Sequence, residues 1–266
     1  MVKNEEILLR NILPIWKEYP IEKFVFLNDR STDNTVDVIK HFLAERAHII
    51  DRETDQFHEA KNRSAMLEWS RNKADFVIAI DADELLTSNF LENWNSIFEY
   101  SKHYDLKLFW FNVVNSLDKM RNDPAYVNNF RTFILNTKTC SSFDLSGERY
   151  HTPRTPVTGL QPIATKDVGV IHLQALNIKH YALKQLWYKH YEYVNYGYDE
   201  NFINSKYDYV INKLQFNEVE MNKSLIKNLS FDPKIFDEIS VEKKYNEFIK
   251  FHYNEKLITF GEKYLK

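Results

Sequence analysis

At 266 residues with a formal net charge of -3, the chain lacks the basic excess of a nucleic-acid binder. With 44% hydrophobic and 27% charged residues it reads as a globular protein rather than a disordered one, and a lone cysteine, Cys140, excludes a disulfide framework and a multi-cysteine zinc site. No apolar run approaches the ~20 residues that span a bilayer, and the start of the chain lacks the apolar stretch of a signal peptide, so a cytoplasmic protein without a transmembrane segment is expected.

In chain order, residues 5–19 have helical spacing, with Ile7, Leu8, Ile12, Ile15 and Trp16 on one side. Residues 23–28 (KFVFLN) form a short apolar run of strand type that ends in the polar turn Asp29-Arg30-Ser31-Thr32-Asp33. Ser31, Thr32 and Thr35 are expected as turn and capping residues for a helix over 35–46. A strand at 47–51, a helix at 58–73 and a buried strand at 75–80 (DFVIAI) follow, the last stopping at Asp81-Ala82-Asp83-Glu84. This alternation predicts an α/β fold, a mainly parallel sheet with helices on both faces. Residues 106–114, 131–136 and 169–172 read as further strands of a mixed region. Beyond Asn177 the pattern turns to long helical segments rich in Tyr, Lys and Asn, so the expected division is a domain over 1–177 and a helical extension over 178–266.

Ligands of such sheets bind outside the carboxyl ends of the strands, and both acidic clusters, 29–33 and 81–84, fall there. With only five glycines the chain has neither a Walker loop nor GxGxxG, so a bound nucleotide must have its diphosphate held in another way, and a metal is the obvious candidate. Asp81 and Asp83 flank one alanine, a pattern that can place one carboxylate on Mg²⁺ or Mn²⁺ and the other on a ribose or a bridging water. Two rival readings fail on particular residues. A dehalogenase-type phosphatase wants Thr or Val where Leu85 stands. An EF-hand wants Gly and Glu where Asn34 and Lys40 stand.

Taken in order, Lys3-Asn4-Glu5-Glu6, the run Leu27 to Thr35, Glu59-Ala60-Lys61-Asn62-Arg63 and Asp81-Ala82-Asp83-Glu84 resemble family 2 glycosyltransferases, which have the GT-A fold. The run Val170-Ile171-His172-Leu173-Gln174 with Lys184-Gln185 and Trp187-Tyr188-Lys189 is similar to the C-terminal part of a bacterial branch of that family. The resemblance implies that Asp29 meets the nucleotide base, that Glu5 borders its pocket, and that Lys61 stands at a position where the family usually has an Arg facing the base or diphosphate. It implies that Asp81 lies near the ribose, that Asp83 binds the metal and that His172 completes the metal or diphosphate site. In the family a full strand precedes the Lys-Asn-Glu motif, whereas only Met1 and Val2 precede it here.

The implied reaction moves a sugar, with inversion, from a nucleoside-diphosphate sugar to a hydroxyl of a glycan, a lipid-linked or a protein acceptor, in surface glycan biosynthesis. Inversion needs a base. Its candidates lie in residues 143–155, which look like the acceptor loop: Glu148 first, then Asp144, with His151 as a partner. The Tyr and Trp residues of 187–198 offer faces on which a sugar could stack, although a helix packing its aromatic stripe on the core explains them as well. A peripheral membrane contact is a further option. Two alternatives stand beside the enzyme. A sugar-nucleotide pyrophosphorylase would need a Gly-rich N-terminal motif that is absent. A catalytically inactive GT-A domain kept for binding or assembly rests on the short N-terminus.

Overall fold

The structure, a computed structural model, describes residues 1–52, 58–124, 126–145, 153–212, 216–227 and 229–238. The elements are α1 (Glu6–Lys17), β1 (Phe24–Asn28), α2 (Thr35–Leu43), β2 (Ala47–Asp51), α3 (Glu59–Ser70), β3 (Phe76–Ile78), β4 (Glu84–Leu86), α4 (Ser88–Glu92), α5 (Trp94–Tyr100) and β5 (Tyr104–Val114). They continue with β6 (Ser116–Arg121), β7 (Phe130–Thr132), β8 (Ile134–Asn136), β9 (Gln161–Ala175), α6 (Ile178–Tyr196), α7 (Glu200–Asn212), β10 (Glu218–Glu220) and α8 (Ile235–Glu238).

The first half is the expected βαβ unit. β1 and β2 pair in parallel through the crossover helix α2, and Val2 adds a single parallel bridge to Asn28 on the other side of β1. α1 buries Leu8, Leu9, Ile12, Leu13 and Trp16, and these pack with Phe24, Phe26, Val38 and Ile39 in the main core. Each such fully buried side chain stabilises the fold by about 2 kcal/mol. Two polar side chains tie this layer to β4: Trp16 donates through Nε1 to the Glu84 carbonyl (3.0 Å), and the Leu86 amide donates to the Tyr19 hydroxyl (3.0 Å).

The second half supplies a mixed sheet in the order β10-β6-β5-β9-β4, with β7 also paired to β5. β5 and β9 run parallel; β4–β9, β5–β6, β5–β7 and β6–β10 are antiparallel. β3 pairs antiparallel with β8. The segment expected as one strand over 131–136 breaks at Phe133, and its halves serve different sheets. The strand expected over 169–172 is the buried end of the much longer β9. The helices α6 and α7 pack on each other, joined by ion pairs from Lys189 to Asp208 and from Glu192 to Lys206.

Candidate active site

Strand register builds the centre of the site. In β9, His172 lies opposite Glu84 of β4 on one side and Asn112 of β5 on the other. The Leu173 amide donates to the Asp83 carbonyl (2.9 Å), which fixes the turn after β3 against β9. His172 stacks on Trp110, with centroids 4.5 Å apart and planes 25° apart. Its Nδ1 lies 2.9 Å from Asn112 Oδ1. The Asn112 amide group donates in turn to the Trp110 carbonyl (2.9 Å), so Oδ1 is the atom turned to the ring and Nδ1 must carry the proton. In the neutral imidazole, Nε2 then presents a lone pair. That nitrogen is 3.4 Å from Asp83 Oδ2.

Two acceptors facing each other need a cation between or beside them. Lys184, from the second turn of α6, supplies one: its Nζ is 3.1 Å from the same Oδ2. Desolvation opposes ionisation of the buried Asp83, but the Lys184 ammonium beside it outweighs that and holds the carboxyl well below its ordinary value. Asp81 is held low in the same way, burial being overcome by Arg154 and Arg63. Arg63 approaches Asp81 Oδ1 at 3.1 Å and Arg154 approaches Oδ2 at 2.9 Å. Glu84 is fully buried and is spoken for on all sides. It accepts from Trp110 Nε1 (2.7 Å), from both Arg154 terminal nitrogens (2.7 and 2.8 Å) and from the Asp81 amide (2.8 Å). Burial pushes its carboxyl up against the pull of Arg154. Tyr188, one turn beyond Lys184, is close enough to feel Lys184, Asp83 and Asp81, and burial raises its hydroxyl.

Asp29 lies in a neighbouring cluster. It is buried and ion-paired with Arg52, with Arg30 3.8 Å away. Arg30 has a left-handed φ of 55°, which a non-glycine residue adopts only when its surroundings impose it. Those surroundings are the loop 4–6. The Asn4 amide donates to Ser31 Oγ (3.1 Å), the Thr32 amide to Asn4 Oδ1 (2.7 Å), and the Glu5 amide to Thr35 Oγ1 (2.8 Å). Ser31 and Thr35 thus bind the first loop, and α2 follows Asn34, whose side chain does not cap it. Glu5 in turn lies near enough to Lys184 to support its charge, which links the two clusters along one rim.

The structure brings Asp81, Asp83 and His172 into one cluster, with Glu5 and Asp29 beside it. Lys61 is exposed on α3, and the side chain of α3 that reaches Asp81 is that of Arg63, two residues on. Asp144 is exposed, its amide donating to Ser142 Oγ (3.1 Å). Glu148 and His151 lie outside the described residues. The counter-cations Arg52, Arg63, Arg154 and Lys184 are what sequence reasoning missed as a set, though Arg63 and Lys184 stand inside the motifs quoted above. With these cations in place the acids do not form an uncompensated negative cleft.

A βαβ unit joined to a mixed sheet, with acids at the strand ends, is the GT-A class of transferase fold. The Glycosyl transferase family 2 profile matches residues 2–143, over half of the chain, and the chain belongs to that family. Among solved structures it is similar to S. aureus TarS, at 14% identity with a TM-score of 0.50 over 80% of this chain and 42% of that one. A second TarS structure, of residues 1–349, is 14% identical with a TM-score of 0.46, covering 79% of this chain and 67% of that one. The chain thus spans under half the length of the longer TarS structure. No curated protein matches it in sequence. Among the described residues no helix is long and apolar enough to cross a membrane.

Proposed function

We propose that the protein transfers a sugar from a nucleoside-diphosphate donor to an acceptor hydroxyl, with inversion, using Mn²⁺ or Mg²⁺, in the cytoplasmic assembly of a surface glycan. The observation that carries the metal is the chain Asn112–His172–Asp83. A histidine that gives its Nδ1 proton to a neighbour and turns its Nε2 lone pair toward a carboxylate is oriented as metal-binding histidines are. Among the described residues no group of three or more His, Cys, Asp and Glu side chains gathers as a metal cage. The fit is therefore to a hard cation held by Asp83 and His172, with its other ligands from the donor. A cation bound there supplies positive charge to the diphosphate oxygens as the leaving group departs.

The remaining roles fall to the chain itself. Asp29, held by Arg52, offers an acceptor to the base, Glu5 borders that pocket, and Asp81, locked between Arg63 and Arg154, presents its exposed edge to the ribose. Glu148, or else Asp144, with His151 beside it, takes the acceptor proton. Support for placing the base here comes from the two ends of its segment. Phe143 is buried and the Leu145 amide donates to Ser64 Oγ (2.9 Å) on α3, while Arg154 closes onto Asp81 and Glu84. The part of the chain over 178–266 is read as a helical C-terminal extension or an acceptor-side subdomain.

Calorimetric titration of UDP and GDP with Mn²⁺, with Mg²⁺ and with EDTA, on wild type and Asp83→Asn, tests the reading. Binding is expected with metal, and is expected to weaken sharply in EDTA and in the variant. Equal affinity in EDTA and Mn²⁺ would sink the metal-bridged mechanism. Absence of any binding would favour an inactive domain kept for assembly.

A further inference from the structure

We propose that Lys184 is a donor-binding residue that competes with the metal for Asp83 and, once displaced, holds the donor's diphosphate, so that metal and nucleotide bind as a pair. The proposal rests on the metal and donor reading above. Its basis is a shared atom. Lys184 Nζ lies 3.1 Å from Asp83 Oδ2, and His172 Nε2 lies 3.4 Å from that same oxygen. A cation bridging Asp83 and His172 has to use this corner of the carboxylate, beside an ammonium of like charge.

The other cations of the cluster cannot give way in the same manner. Arg63 is anchored by Glu59 (3.0 Å) as well as Asp81, and Arg154 is clamped by Glu84 and Asp81. Among the described residues Lys184 is ion-paired with Asp83 alone, and it has a flexible stem and a partly exposed side chain. An ammonium is a mobile point charge where a guanidinium is a fixed fork. The strong anion that arrives with the donor is the diphosphate. A metal alone must evict Lys184 and leave it only the influence of Glu5 in place of its ion pair with Asp83, and a diphosphate alone must draw Lys184 from Asp83 and leave that carboxylate without its ammonium. The two together satisfy both groups, which is positive coupling between ligands.

The opposite reading is that Lys184 merely tethers α6 to the sheet. Mn²⁺ titrations followed by electron paramagnetic resonance, without nucleotide and with saturating UDP or GDP, separate the two on wild type, Lys184→Met, Lys184→Arg and Asp83→Asn. Removal of a neighbouring unit charge should tighten Mn²⁺ alone on Lys184→Met by at least about tenfold. The same change should weaken the nucleotide in EDTA and shrink the coupling between the ligands. Lys184→Arg keeps the charge but as a fork that yields less readily, so it should bind Mn²⁺ alone no better than wild type, and Asp83→Asn should bind Mn²⁺ poorly in every state. Changes of opposite sign for metal and nucleotide support the proposal even if the wild type binds Mn²⁺ weakly. Unchanged Mn²⁺ affinity and coupling in a folded Lys184→Met overturn it while leaving the donor reading intact. If no variant binds Mn²⁺ under any condition, both fall.

Discussion

Asn112 decides which nitrogen of His172 faces Asp83, and it does so with an amide whose orientation is set by the Trp110 carbonyl. Asn112→Leu removes that control without adding charge. It is expected to weaken Mn²⁺ binding in the presence of nucleotide by about 10–100-fold while the thermal midpoint changes little, and equal Mn²⁺ affinity would show that the tautomer is set elsewhere. At this scale the sequence was half legible. Asp81, Asp83 and His172 announce themselves through strand ends and motif order. Their partners do not, because Arg63 is 18 residues from Asp81, Arg154 70 from Glu84 and Lys184 101 from Asp83. No local pattern encodes a separation of that kind.

Among the elements, β9 shows where periodicity fails and why. Its second half, from Val168, is buried residue after residue, whereas Gln161–Asp167 is mostly exposed and opens with a Gln-Pro pair. Pairing with β5, not alternation, makes that first half a strand. The sheet tightens at Gly169, opposite Phe109 at a register shift. A Cβ there would overlap the Phe109 carbonyl and sit 2.6 Å from the Phe111 ring. Gly169→Ala is therefore expected to destabilise the protein by about 3 kcal/mol, read as a lower urea midpoint; an unchanged midpoint would mean that the two strands separate freely at this point. By contrast β1, β2 and α1 were readable in place, since each is short, strongly patterned and packed on its sequence neighbours.

The helix α6 carries its own pH signature. Burial, with Lys189 adjacent, holds the His190 imidazole down to about 4, against 6.5 in the unfolded chain. The unfolded state then takes up a proton that the folded state refuses. This contribution to stability is complete above pH 6.5 and is lost as the pH falls toward 4, up to about 3 kcal/mol. Urea midpoints measured between pH 7.5 and 4.5 should fall more steeply for wild type than for His190→Leu; parallel slopes would assign the effect to other groups.

Over the whole molecule, the family match ends at residue 143, yet Arg154, His172 and Lys184 all come later in the chain. A fragment 1–143 would carry the Asp81–Glu84 turn without its cations and would leave β5 and β4 without the strand that lies between them. Unpaired apolar edges of that kind invite association. The fragment is expected to aggregate and to bind a hydrophobic dye where the full chain does neither; a monomeric fragment with a cooperative unfolding transition would refute this.

The late arrival of β9 has a consequence in time. β4 and β5 leave the ribosome with no direct pairing to each other, and the strand that bridges them is synthesised only after some 50 further residues. Contacts that span so much chain form slowly. During translation the sheet therefore stays half-built, and the Asp83–Lys184 pair can form only when α6 has followed β9 out of the exit tunnel. Until synthesis has passed Lys184, a nascent chain lacks the cation that pairs with Asp83.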